Sequence, residues 1–183
     1  MNIIAFVGYS ESGKTHLLQR LIPEIKSRGF SVGVIKHCPH GFDLDHDGTD
    51  SSKFSSAGAD GVSLLSSGSW AVMRPAPKSK NFTGLAKACF GDMDVVLVEG
   101  GKGDESLEKI MVFAPGTKRG PECVKGRILA AVATDPVPMS APTFHPDGVA
   151  EIVDFLLGHW MSDATAHAGR ITSAYDRKEK KEK

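Results

Sequence analysis

The sequence predicts an α/β fold: a mostly parallel, twisted sheet flanked by helices, with an additional hairpin or antiparallel strands. Three observations carry that expectation. Short β-rich runs alternate with helix-period stretches along the chain, the order that builds a parallel sheet with helical crossovers. Two of those runs, Ile3–Val7 and Val95–Val98, are apolar at every position, as strands buried on both faces must be. Finally, 183 residues, 40% of them hydrophobic before the 20 glycines are counted, are enough for one well-formed core. The expected organisation is a single domain over residues 1–161 and a charged, flexible tail over 162–183.

The elements follow in order. Ile3–Val7 is the first strand and stops at Gly8. Leu17, Leu18, Leu21, Ile22 and Ile25 then fall on one face of a helix that Pro23 should bend and Gly29 should end. Val32–Lys36 is the second strand. An acidic, His-rich loop runs to Asp50, followed by a short helix near Ser52–Ala59. Val62–Leu65 and Trp70–Met73, separated by Ser-Ser-Gly-Ser, read as a hairpin or a pair of adjacent strands. Phe82–Phe90 reads as a helix, and Val95–Val98, Lys109–Phe113 and Ile128–Val132 as strands. The last helix is expected to start near Asp147 as its N-cap, with Val149, Ile152, Val153, Leu156 and Leu157 on one face.

Composition excludes several function classes. Basic and acidic residues balance at 22 each, and the tail Arg177–Lys183 alone holds five basic and two acidic groups. Residues 1–176 are therefore net acidic, which is not the charge of a nucleic-acid binder. Aromatics are only 7%, too sparse for a base-stacking platform. No apolar run reaches the ~18 residues of a membrane span. The N-terminus lacks a basic n-region, and the three cysteines are odd in number and far apart. The expectation is a cytoplasmic protein, with no nucleic-acid or membrane partner.

Gly8-Tyr-Ser-Glu-Ser-Gly-Lys-Thr15 matches G-x-x-x-x-G-K-[ST] between a strand and an amphipathic helix, the context a P-loop requires. The expected fold is therefore that of the P-loop NTPases. Gly8 and Gly13 allow the backbone N–H groups of Ser10, Glu11, Ser12, Gly13 and His16 to curl around phosphate, helped by the helix dipole. Lys14 is expected to reach the β- and γ-phosphates, and the Thr15 hydroxyl to ligate Mg²⁺. Glu99, at the end of the apolar strand, supplies a second acid able to hold Mg²⁺ or orient water, so Lys14 and Glu99 are the expected catalytic pair. Asp94, at the other end of that strand, is expected to face solvent.

Two further constellations are less settled by the residues alone. In the loop Lys36–Ser51, Asp50 is the carboxylate expected to complete the Mg²⁺ shell; alternatively His37, Cys38, His40 and His46 form a transition-metal site, or the loop is simply exposed. There is no Asn-Lys-x-Asp, but Asp135 follows the strand Ile128–Val132. A carboxylate there accepts both N1–H and N2–H of guanine, donors that adenine does not pair in this way.

An ordered series then extends beyond the P-loop: Leu21-Ile-Pro23, Arg28-Gly29, Gly33-Val-Ile-Lys-His37, Asp43-x-Asp45-x-x-Gly48-x-Asp50-Ser51, Ala57-Gly-Ala59, Trp70-Ala-x-Met73, Leu97-Val-Glu-Gly100-x-Lys102, Lys109-Ile110 and Ala131-x-Ala-x-Asp135. This series resembles the molybdopterin-guanine dinucleotide biosynthesis adapter family, MobB. The resemblance implies a homodimeric GTP-binding protein with at most weak GTPase activity. Such a protein assists the guanylyltransferase that attaches GMP to molybdopterin, and its partners are that enzyme and molybdopterin or its guanine dinucleotide. Lys36 and Lys102 are its expected anion contacts. Two features stand out: Gly101 occupies a position where the family usually has an aromatic, and Tyr9-Ser10 replaces the signature lysine of related dimeric ATPases. The competing reading is a nickel-delivery GTPase of the urease/hydrogenase accessory type, motivated by Cys38-Pro39-His40. A non-enzymatic phosphate-binding scaffold is the third.

Overall fold

A computed structural model describes residues 1–75, 81–117 and 119–162. They fall into two compact units: His37–Asn81, and the segments on either side of it. Apart from Ser162, the expected charged tail lies outside the described residues.

The larger unit is built on a six-stranded sheet whose strands pair in parallel. In chain order its strands are β1 (Asn2–Val7), β2 (Val32–Lys36), β5 (Val95–Glu99), β6 (Lys109–Val112), β7 (Ile128–Val132) and β8 (Thr143–Phe144). In space they run β2-β5-β1-β6-β7-β8. The helices here are α1 (Lys14–Ser27), α3 (Phe82–Phe90) and α4, residues 149–162.

Alternation along β1 shows why its sequence is apolar throughout. Ile4 and Phe6 pack into one cluster with Leu17, Leu21 and Ile25 of α1 and Ile152, Val153 and Leu156 of α4. Ala5 and Val7 point the other way, into a cluster with Phe82 and Ala86 of α3. Both faces are covered, so neither parity tolerates a polar residue. β5 repeats the pattern, with Val95 and Leu97 on the first face and Val96 and Val98 on the second.

Helix α1 continues through Pro23. Its end is a Schellman turn: Gly29, at φ 88°, donates its N–H to the Lys26 carbonyl, and Phe30 donates to Ile25. At the start of α4 the expectation fails by one position. Ile152 N–H bonds the Gly148 carbonyl, so Gly148 is the cap, while Asp147 accepts an ion pair from Arg20 at 2.8 Å. Asp94 is likewise engaged, accepting from the Ser31 N–H at 2.8 Å and hydroxyl at 2.7 Å, which ties the starts of β2 and β5. The two-residue β8 had no sequence signal, being too short for any period.

The second unit contains α2 (Asp50–Ser56) and the antiparallel hairpin β3 (Val62–Leu65) and β4 (Trp70–Met73). α2 starts two residues earlier than the sequence suggests, because the Thr49 side chain accepts from Ser52 N–H as its cap. Leu65 and Trp70, paired across the strands, are 85% and 70% exposed.

Candidate functional site

The sheet order puts β1 between β5 and β6, and the first crossover, β1–α1–β2, passes over β5. The crevice outside the carboxyl ends of such strands is where open α/β sheets take ligands. Residues 8–15 occupy that end of β1.

The loop's shape follows from two glycines with different tasks. A Cβ on Gly8 would lie 2.3 Å from the Val112 carbonyl oxygen and 2.6 Å from Ser12 Oγ, so the loop leaves β1 through a gap only hydrogen fits. Gly13 has open space but φ 84°, and Glu11 also takes a left-handed φ of 61°. These turns bring the backbone round to the start of α1. There the first helical bond is Leu17 N–H to Gly13 carbonyl, and no side chain caps the helix. The N–H groups of Lys14, Thr15 and His16 thus emerge at the helix start without helical acceptors. A cavity of about 460 Å³ opens there, lined by residues 10–16 and Glu99.

Lys14 Nζ donates to the Tyr9 carbonyl at 2.6 Å and to Ser12 Oγ at 3.1 Å, holding the loop across its mouth. Partial burial pushes its pKa below the usual lysine value; Glu99 opposes that shift, while Lys102 and Lys36 reinforce it. The Thr15 hydroxyl donates to Glu99 Oε1 at 2.8 Å. Glu99 ends β5, in register with Phe6 of β1 on one side and Lys36 of β2 on the other. Lys36 Nζ lies 3.4 Å from both carboxylate oxygens. A hydroxyl and a carboxylate side by side are the hard oxygen donors that Mg²⁺ takes, so these residues fit that ion.

The loop after β5 carries Lys102. Gly100 donates to the Phe6 carbonyl at 2.9 Å, and Gly101, at φ 77°, leaves only 3.3 Å between a hypothetical Cβ and the Phe82 ring. A large side chain at 101 would be strained and crowded, which accounts physically for glycine there. Lys102 Nζ sits 5.9 Å from the centre of the Tyr9 ring, and Arg119 lies 5.2 Å from it. The Tyr9 hydroxyl donates to the Gly120 carbonyl at 3.3 Å.

Sequence reasoning missed Arg119, whose only signal was a basic residue in a Gly/Pro-rich connection. It also missed the role of Lys109, fully buried at the head of β6. Its Nζ donates to the carbonyls of Asp104 and Leu107, fixing the loop that presents Lys102.

Asp135 follows β7 and is exposed; its Oδ2 accepts from Gly116 N–H at 3.0 Å and the Thr134 hydroxyl at 3.1 Å. Those bonds hold its pKa below the ordinary carboxylate value. Asp50 belongs to the second unit, in the first turn of α2, where it pairs with Lys53 at 3.0 Å. In the same unit Asp45 accepts from the Thr49 hydroxyl and from His46 N–H, closing the turn before α2. Among the described residues, no group of three or more His, Cys, Asp or Glu side chains is arranged to share a metal ion. No helix among them is long and apolar enough to cross a membrane.

A Gly-rich loop joining a buried central strand to a helix N-terminus, in a parallel sheet, places this chain in the P-loop NTPase fold class. The model of the MobB family, molybdopterin guanine dinucleotide synthesis protein B, matches residues 3–135. Among curated proteins, the molybdopterin-guanine dinucleotide biosynthesis adapter protein of Escherichia coli K12 is 35% identical over 164 residues, covering 87% of this chain and 93% of the relative. The adapter protein of Haemophilus influenzae Rd is 35% identical over 161 residues, covering 87% and 89%. Of solved structures, molybdopterin-guanine biosynthesis protein B superposes with a TM-score of 0.66 at 28% identity, over 85% of this chain and 97% of that one. Bacillus subtilis MobB, at 24% identity and a TM-score of 0.66 over 84% and 97%, shares the fold. The chain belongs to the MobB family. The nickel-delivery reading finds no support in these comparisons.

Proposed function

We propose that this chain binds GTP with Mg²⁺ and serves, as a cytoplasmic homodimer, as an adapter in molybdopterin guanine dinucleotide synthesis. In that role it assists the guanylyltransferase that joins GMP to molybdopterin. The observation that carries the nucleotide half is the set formed by Lys14, Thr15 and Glu99 at the mouth of the loop, beside first-turn N–H groups without helical acceptors. Membership of the MobB family, and relatives named as biosynthesis adapter proteins, support the pathway half.

The residues act as follows. First-turn N–H groups and the α1 dipole take phosphate oxygens. Lys14 exchanges its bonds to Tyr9 and Ser12 for the β- and γ-phosphates. Thr15 and Glu99 hold Mg²⁺, which when bound neutralises phosphate charge. Asp135 reads guanine with its carboxylate, and Lys36 and Lys102 add cations at the mouth, where molybdopterin or its dinucleotide also brings phosphate. Hydrolysis is slow: the only glutamine, Gln19, lies in the second turn of α1, and Arg119 is stacked on Tyr9. P-loop GTPases without an effective water-positioning group or arginine finger turn over at roughly 10⁻⁴–10⁻² s⁻¹.

Calorimetry of GTP with Lys14→Ala tests the site, and strong weakening is expected. Equal affinity in variant and parent rules out the P-loop as the binding element. A reconstituted assay with guanylyltransferase, molybdopterin and limiting GTP tests the adapter role. Intact GTP binding without stimulation leaves a phosphate-binding scaffold instead.

A further inference from the structure

Tyr9 holds cations on two sides. Its backbone belongs to the phosphate loop, where its carbonyl accepts from Lys14 Nζ at 2.6 Å. Its ring carries two more: Lys102 Nζ, 5.9 Å from the ring centre, and the Arg119 guanidinium at 5.2 Å. Neither residue lines the cavity of about 460 Å³, whose wall is residues 10–16 and Glu99. Both are exposed, and among the described residues neither has a carboxylate within ion-pair distance. Neighbouring cations are engaged: Lys125 by Glu105, Arg127 by Glu108, and Lys109 by backbone carbonyls. Glu122, in the turn after Arg119, lays its carboxylate against Gly120 instead. The loops that bear Lys102 and Arg119 are also tied together. The Lys102 carbonyl accepts from Lys125 N–H at 2.8 Å, Val124 N–H closes on the Pro121 carbonyl at 2.8 Å, and the Tyr9 hydroxyl donates to Gly120 at 3.3 Å. An aromatic ring holds a cation through its quadrupole and brings no countercharge. Both groups are therefore placed, yet keep their charge for an anion.

We propose that Lys102 and Arg119, carried on the Tyr9 ring, form a second anion site beside the nucleotide cavity, and that its ligand is the phosphate monoester of a molecule other than the nucleotide. Two positive charges match a monoester dianion, whereas a carboxylate or a phosphodiester leaves one of them uncompensated. Arg119 supplies a fork for two oxygens and Lys102 a point charge. Both heads lie near one ring centre, close enough for these long side chains to converge on one phosphate. Their place outside the cavity lining separates this ligand from the terminal phosphate of the nucleotide. Tyr9 then stands between two anions, its carbonyl towards the nucleotide loop and its ring towards the second reactant. On the adapter reading above, on which this naming rests, the monoester is that of the pterin, held next to GTP.

The test titrates phenyl phosphate into the full chain, followed by phosphorus NMR, with the cavity already filled by Mg²⁺ and a non-hydrolysable GTP analogue. The parent should bind the probe under these conditions. Arg119→Met and Lys102→Met should each weaken it roughly tenfold, the low end for hydrogen bonds to a charged group. Arg119→Lys, which keeps the charge and loses the fork, should weaken it less. Methyl phenyl phosphate, with one charge fewer, should bind about fivefold more weakly than the monoester. Calorimetry should find the GTP affinity of Arg119→Met within about twofold of the parent, the margin expected of a residue that makes no contact with the nucleotide. Displacement of phenyl phosphate by the nucleotide analogue, or a tenfold loss of GTP affinity in Arg119→Met, overturns the proposal and gives these cations to the nucleotide. No binding of the probe, equal binding in Arg119→Met, or equal binding of the diester overturns it as well. If the parent binds no nucleotide, the GTP reading fails by itself, and the dependence of phenyl phosphate binding on Arg119 still decides the second site. An unchanged thermal melt shows that Arg119→Met has kept the fold.

Discussion

Replacing Gly8 by alanine puts the geometry of the phosphate loop to a direct test. The added Cβ would sit 2.3 Å from the Val112 carbonyl oxygen, about 1 Å inside ordinary carbon–oxygen contact. That oxygen is backbone in the middle of the sheet, where the next residue, Phe113, bonds Val132 at 2.9 Å. β6 therefore cannot retreat, and the loop must lift instead. Ser12, whose Oγ is 2.6 Å from the same Cβ, rotates away and loses its bond from Lys14. Overpacking of this kind costs about 1–3 kcal/mol, or about 2–12 °C in Tm for a chain this size. A loop displaced by about 1 Å also misplaces every phosphate donor, so GTP affinity should fall by about a hundredfold. Gly13→Ala is the control: its Cβ meets nothing within 4 Å, but φ 84° makes it strained, at about 1 kcal/mol. Melting curves and GTP calorimetry on both variants measure these effects. Unchanged Tm and affinity in Gly8→Ala would refute the steric argument and the loop path it assumes.

Asp135→Asn exchanges an acceptor oxygen for a donor, so it should weaken GTP and improve binding of xanthosine triphosphate; an unaltered GTP-to-ATP ratio assigns the base to another residue. Asp94 is held below its ordinary value near 3.8, first by the Ser31 N–H and then by its hydroxyl. Its contribution is present above the unfolded pKa and lost as pH falls through the lower folded one. Asp94→Asn should therefore reduce the dependence of Tm on pH below about 4, and an unaltered acid limb contradicts the assignment. Leu65 and Trp70 are exposed on one face of a two-stranded hairpin, which is marginal without a partner. If the proposed homodimer forms through this face, Leu65→Ser with Trp70→Ser should shift sedimentation towards monomer; an intact dimer locates the interface elsewhere.

Local chemistry was enough to determine much of this protein. The runs at β1 and β5 are apolar because helices cover both sheet faces, so the central strands were legible one residue at a time. Gly8, Gly13, Lys14 and Thr15 lie within eight positions, and the loop they form needs few distant residues to be recognised. The turn at Gly29 and the hairpin at Ser66–Ser69 were legible for the same reason. Tertiary structure alone decided the pairings across long separations. Thr15 meets Glu99, 84 residues on, only because β5 lies beside β1, and Lys36 meets the same carboxylate only through the β2–β5 register. Arg119 reaches Tyr9, and buried Lys109 holds the loop of Lys102, through packing that no local period encodes. Asp147 had the composition of a cap, but Arg20 from another helix engages it, and Gly148 begins the helix. Local preference fixes which residues can turn, cap or bury; strand order and register decide which charges share a site.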